Sequence, residues 1–183
     1  MASALDAIAD QAGKSPIVCG NTRVILIDGP AGSGKTTFAH HLAQILNGCP
    51  VISMDDLYNG WDKPLTDELY SRIAEQIFNP LQQATDVHFQ KYDWHEGKFI
   101  EWIDVSPSDY LIIEGVGAMH PKNLENSCLK IWLEASEKLL LKRVLGRDGE
   151  HIREKMLIWQ KMEKEYFKKY KVGDKADFAL QTT

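Results

Sequence analysis

Lys35, Thr36, Asp55, Glu114, Arg143 and Arg147 are the residues of this chain whose types and settings suit chemistry on phosphate. The first two close the stretch Gly29-Pro30-Ala31-Gly32-Ser33-Gly34-Lys35-Thr36-Thr37, which fits G-x-x-x-x-G-K-[ST]. In such a loop the glycines permit tight turning, so backbone N–H groups from Gly29 and from Ala31 to Thr37 can face an anion. A helix starting there adds partial positive charge. Lys35 can reach the β- and γ-phosphates of ATP, and the Thr36 hydroxyl can ligate Mg²⁺.

Glu114 follows the buried-strand pattern Tyr110-Leu111-Ile112-Ile113 and reads as a Walker-B-like carboxylate acting through metal-bound water. Asp55, just after Val51-Ile52-Ser53, is placed to accept the proton of an acceptor hydroxyl and to touch Mg²⁺. Asp56 ranks below it, because adjacent strand residues point to opposite faces. Arg143 and Arg147 lie four apart, on one helical face. With Gly146 and Gly149 nearby, residues 142–153 read either as a mobile lid over the phosphates or as a solvated basic turn paired with Asp148 and Glu150. Tyr58, Tyr92 and Trp94 could stack on a planar substrate, and Asp62 or Asp93 could hold its sugar hydroxyls or ring donors. Each aromatic also has a plain core reading. His95 reads equally as a ligand contact or a turn residue.

These residues need a scaffold, and the hydrophobic pattern supplies one. Val24-Ile25-Leu26-Ile27 before the loop reads as a buried parallel strand. Phe38, Leu42, Ile45 and Leu46 after it recur at helical spacing. Ala2 to Ala12 forms a short amphipathic helix ending at Gly13, within an N-terminal lead-in of residues 1–20. Thr66 caps a helix whose buried face carries Leu69, Ile73, Ile77 and Phe78. Val87 to Trp94 alternates, with Val87, Phe89 and Lys91 on one face and His88, Gln90, Tyr92 and Trp94 on the other. A turn at His95-Glu96-Gly97-Lys98 and a strand from Phe99 to Val105 complete a hairpin inserted over residues 84–106. Leu129-Ile131-Leu133 is a further strand, and Ser136 caps a helix with Leu140, Leu141, Val144 and Leu145. Asp148 to Tyr170 reads as one long helix burying Ile152, Met156, Trp159 and Tyr166, with Lys and Glu covering its other side. Asp177 to Leu180 could close the sheet.

Strands alternating with helices predict an α/β fold: a three-layer P-loop NTPase architecture with a mostly parallel sheet, in one domain spanning residues 1–183. Right-handed crossovers then bring the loop, the acidic pair and Glu114 to one sheet edge. The apolar share of 44% suits a real core, and a net charge of −5 gives no reason to expect nucleic acid or membrane as partner. Cys19, Cys49 and Cys128 are odd in number and scattered, which argues against a disulfide framework or zinc site. With Asp6 and Asp10 where a signal peptide would be basic and then apolar, the cytoplasm is the expected compartment.

Taken together, GPAGSGKTT at 29–37, MDDLY at 54–58, YDW at 92–94, IIEG at 112–115, KRVLGRD at 142–148 and KADFAL at 175–180 resemble the uridine kinase group of P-loop kinases. That group includes phosphoribulokinase and pantothenate kinase, and the likeness is strongest to bacterial uridine kinase-like proteins with DDLY-x-GW. The resemblance implies ATP and Mg²⁺ as cofactors, with Asp55 as catalytic base and Glu114 helping to hold Mg²⁺. It also implies Tyr92 on the nucleoside, Arg143 and Arg147 around the phosphates, and the 175–180 segment leading to the adenine pocket. Two features depart from the group. Gly146 stands as an insertion between the lid arginines, and His95-Glu96-Gly97-Lys98 replaces the basic and histidine residues that follow the tyrosine motif. Both fall where acceptor and lid are read.

The expected reaction is therefore transfer of the ATP γ-phosphate to a hydroxyl of a nucleoside-like small molecule. A nucleoside monophosphate kinase is the alternative among enzymes, although residues 87–105 contain no arginine for a second phosphate. A non-catalytic ATP-binding regulator is the alternative outside them. A GTPase switch is disfavoured by the lack of D-x-x-G after the loop and of N-K-x-D. Oligomeric state is left open.

Overall fold

A computed structural model describes residues 2–62 and 64–183, the side chains of residues 2 and 3 excepted. Its strands are β1 (Arg23–Asp28), β2 (Val51–Ser53), β3 (Val87–Asp93), β4 (Lys98–Val105), β5 (Tyr110–Glu114), β6 (Leu129–Glu134) and β7 (Phe178–Gln181). Five of them form one sheet in the order β2-β5-β1-β6-β7, with every neighbouring pair parallel. The expected α/β fold is thus present, and Asp177 to Leu180 does deliver the closing strand.

Successive residues of the central strands alternate between two cores. Val24, Leu26, Leu111 and Ile113 enter one, while Ile25, Ile27 and Ile112 enter the other. Burial on both faces explains why these strands read as continuous apolar runs. The second core is covered by α1 (Ala2–Lys14) and α2 (Lys35–Ile45), through Leu5, Ile8, Phe38 and Leu42. The first is covered by α3 (Asp67–Ile73), and by Met156, Trp159 and Tyr166 of a later helix.

The Thr66 hydroxyl caps α3 as expected, accepting from the Leu69 N–H at 3.4 Å. The helix then widens into a π-helical stretch (Ala74–Phe78) before α4 (Asn79–Gln82). Pro80 has no N–H to offer Gln76, and a π turn accommodates the missing bond. A short α5 (Pro121–Leu124) precedes β6.

Two expectations are corrected here. The alternation of β3 is broken by a register shift between Lys91 and Tyr92, so Tyr92 turns to the buried side with Val87 and Phe89. The long helix expected from Asp148 is two elements. Helix α6 (Glu137–Asp148) runs unbroken through Gly146 and stops at Gly149, whose φ is 93°. A 3₁₀ turn (Glu150–Ile152) follows, and α7 (Arg153–Tyr170) starts only there. Ser136 holds the cap position of α6, but its side chain makes no capping bond. Among the described residues no helix is long and apolar enough to cross a membrane.

Candidate active site

Parallel pairing sets Ile27 beside Glu114 and Glu114 beside Ser53, so β1, β5 and β2 end at one level. The loop after β1, the turn after β2 and Glu114 therefore share the carboxyl edge of the sheet, as the crossover rule required. They border a cleft of about 870 Å³ lined by Lys35, Thr36, Asp55, Glu114, Arg143 and Arg147 among others.

Gly34 caps α2 in the left-handed conformation (φ 88°) with no side-chain bond, leaving the first turn's N–H groups for an anion. Gly32 is required by its surroundings: φ is 85°, and a Cβ there would sit 2.5 Å from the Leu140 carbonyl oxygen. Gly32→Ala should consequently cost about 2 kcal/mol or more in stability and weaken nucleotide binding, read by thermal unfolding and nucleotide titration. Lys35 Nζ donates to the Gly29 and Pro30 carbonyls at 2.8 and 3.0 Å, folded back onto its own loop. The Ser33 hydroxyl oxygen is buried without a partner. An orphaned hydroxyl and free helix-start N–H groups beside a lysine fit a phosphate chain.

Thr36 Oγ1 donates to Glu114 Oε1 at 3.1 Å, and Glu114 is buried. Burial pushes its carboxyl above the usual range, while Lys35 and hydrogen bonds from Ser53 and Thr36 pull it back. Asp55 lies in a 3₁₀ turn (Met54–Asp56) directly after β2, so the strand alternation that ranks Asp56 below it does not apply. Its side chain opens into the cleft between close walls, and this desolvation raises its pKa against the pull of Lys35 and Arg147. Asp56 is held 3.2 Å from Lys91, which takes it out of the site for a different reason from the one expected. No group of three His, Cys, Asp or Glu residues that could hold a metal occurs among the described residues. Hydroxyl and carboxylate oxygens that need phosphate and water to complete a shell suit Mg²⁺.

One wall of the cleft is aromatic, and of the three aromatics expected to stack on a substrate the structure places one there. Trp94 lines the cleft, and its Nε1–H donates to the Asp55 carbonyl at 2.9 Å. Tyr58 does not: it is fully buried, its hydroxyl donating to the Val116 carbonyl at 2.6 Å. Tyr92, turned inward by the bulge, is 7% exposed and lies behind Trp94, with ring centres 5.3 Å apart. Neither tyrosine nor Asp62 is part of the cleft lining. Asp93 instead fixes its own turn, accepting from the N–H groups of His95 and Glu96. Trp61 and Trp159 join Trp94 on that wall and contact each other edge to face at 5.8 Å.

Arg143 and Arg147 both reach the cleft. Arg143 donates to the Gly32 carbonyl, the Thr182 hydroxyl and the Thr183 carbonyl, at 3.3, 2.9 and 2.8 Å. Arg147 makes a two-pronged pair with Asp148, each bond 2.7 Å.

Two residues of the site escaped the sequence reading. Asp28, fully buried at the end of β1, accepts from the N–H groups of Gly29, Gly117 and Met119. An acid directly before the loop's first glycine was a visible signal. Glu163 was assigned to the solvated side of its helix, yet it is 1% exposed. It lies four residues after Trp159, which is the buried face. Burial pushes its carboxyl from 4.5 up to about 7. The fold thus binds a proton there that the unfolded chain has lost, so stability falls as pH rises between those two values. Glu163→Gln, which has no charge to bury, should melt several degrees above the wild type at pH 8 and no higher at pH 4, by scanning calorimetry.

Sheet order, loop and strand-end carboxylates define a P-loop protein of kinase-like fold. The chain belongs to the AAA domain family, whose model matches residues 25–168. It is 27% identical over 143 residues to the uridine kinase of Lactobacillus helveticus (strain DPC 4571), covering 68% of this chain and 67% of that protein. Two solved structures share the fold over 96% of this chain. One is a candidate uridine kinase from Bacillus stearothermophilus, with TM-score 0.70, 20% identity and 96% of that chain covered. The other is a candidate fructose transport system kinase from Silicibacter sp. TM1040, with TM-score 0.75, 17% identity and 98% covered. The similarity to the uridine kinase group inferred from the motifs is borne out.

Proposed function

We propose that this protein is an ATP-dependent small-molecule kinase, transferring the γ-phosphate of ATP to a hydroxyl of a nucleoside or related metabolite. The observation that carries this reading is the convergence of Lys35, the Thr36–Glu114 pair and Asp55 on one cleft beside an anion-ready helix start. Thr36, Glu114 and Asp55 would hold Mg²⁺, which when bound neutralises charge on the phosphate chain. Lys35 leaves the loop carbonyls for the β- and γ-phosphates. The acceptor hydroxyl loses its proton to Asp55 as its oxygen bonds the γ-phosphorus, and the bond from that phosphorus to the β–γ bridging oxygen breaks, releasing ADP. Arg143 and Arg147, on the lid segment 142–153, offset the charge that spreads over the transferred group. For this both must leave their present partners.

Trp61, Trp94 and Trp159 provide a wall on which the flat face of an acceptor can lie. The three free cysteines, of which Cys19 and Cys49 are buried, agree with a reducing, cytoplasmic setting. ADP release from ATP·Mg²⁺ should be measured against nucleosides, nucleoside monophosphates and small polyols. The reading expects a hydroxyl compound to stimulate it at least tenfold. Tight ATP binding with no stimulation by any acceptor would favour a regulatory ATP-binding protein instead.

A further inference from the structure

Glu163 connects the two halves of the cleft. From α7 its Oε2 accepts the Ala31 N–H of the phosphate loop and the Trp159 Nε1–H, both at 3.0 Å. The Trp159 ring packs 5.8 Å from Trp61 and 5.2 Å from Tyr58, so the same carboxylate anchors the acceptor-side wall. The charged groups that bear on it are Lys35 at the start of α2, which attracts its negative charge, and Asp28 at the end of β1, which repels it.

A loop that gathers phosphates thus already holds a buried acid on one of its N–H groups. A polyphosphate entering the loop draws Lys35 away and adds like charge where water is excluded. Protonation relieves that repulsion, and the carbonyl oxygen of the neutral acid can still accept both hydrogen bonds.

We propose that Glu163 is a positioning residue of the phosphate loop, and that nucleotide binding takes up a proton from solvent onto its carboxylate. The inference rests on the ATP-binding half of the function proposed above and on nothing about the acceptor. Because burial brings Glu163 to about 7, a substantial share is ionised and open to protonation at neutral pH.

Calorimetric titration with ATP·Mg²⁺ at pH 7, in buffers of different ionisation enthalpy, counts the protons. The wild type should take up more protons per nucleotide bound than Glu163→Gln, the nucleotide's own titration cancelling between them. Glu163→Gln keeps an oxygen that can accept both bonds and should bind within about threefold of wild type, whereas Glu163→Ala should lose about tenfold or more. Melting curves establish that each variant is folded. Equal proton counts in wild type and Glu163→Gln overturn the proposal, as does undiminished affinity in Glu163→Ala. Failure of every acceptor to be phosphorylated would sink the kinase reading and leave these counts unaffected; failure of the wild type to bind ATP would overturn both.

Discussion

Asp55→Asn should lower turnover by about a thousandfold while ATP binds within a few-fold of wild type. The asparagine keeps the shape and the backbone that Trp94 grips through the Asp55 carbonyl, but it cannot take a proton from the acceptor. Asp55 faces the cleft, and the two acids nearest to it in the chain and on the adjoining strand are committed elsewhere. Asp56 is tied to Lys91, and Glu114 is buried against Thr36. The split between binding and turnover separates this role from a structural one, since collapse of the turn would damage both. Isothermal titration of nucleotide and a coupled assay of ADP release, run on the same preparation, give the two numbers. An unchanged turnover would remove Asp55 from the chemistry.

The second large effect concerns stability. Asp28 has no exposed surface, and burial pushes its carboxyl up to about 6, so it remains largely anionic at neutral pH. It accepts from Gly29 at 2.7 Å, Gly117 at 3.1 Å and Met119 at 2.9 Å, binding the loop after β1 to the chain that follows β5. In Asp28→Asn an NH₂ group must face one of these backbone N–H groups, whichever way the amide turns. An orphaned buried donor costs about 1–3 kcal/mol. Asp28→Asn should therefore lose about 2 kcal/mol, and Asp28→Ala, which orphans all three, about 4 kcal/mol or more. Against a total of about 5–15 kcal/mol the alanine variant approaches unfolding at ordinary temperature. Denaturant titration of both variants tests the ranking, and equal stability of the two would contradict it.

What could be read in advance was whatever the chain encodes locally. The phosphate loop carries its context on either side, Val24 to Ile27 before it and Phe38 to Leu46 after it, so motif and element confirm each other. Glu114 and Asp55 lie at the sheet edge where they are expected because parallel strands deliver their ends to a common edge, a matter of topology and not of side-chain detail. The aromatic wall of the cleft was less legible. Whether Tyr58 faces a ligand or the core depends on the Val116 carbonyl, far along the chain. One bulge at Lys91/Tyr92 reversed the facing of Tyr92, because a single unpaired residue shifts every position after it by half a period. The lid reading names both Gly146 and Gly149; α6 passes through Gly146 with open space beside its Cα, and the chain breaks only at Gly149. Glu163 shows the opposite case. Its spacing from Trp159 was plain in the sequence, but a glutamate among lysines was taken for a solvated charge, the commoner fate of such residues.

The measurement that bears most directly on the kinase assignment is ³¹P NMR of a reaction containing the protein, ATP·Mg²⁺ and the best hydroxyl acceptor from the turnover panel. The assignment predicts a phosphate monoester resonance growing one for one with ADP, and no comparable growth of inorganic phosphate. Inorganic phosphate appearing in step with ADP, with no monoester, would contradict it and show that the cleft delivers the γ-phosphate to water.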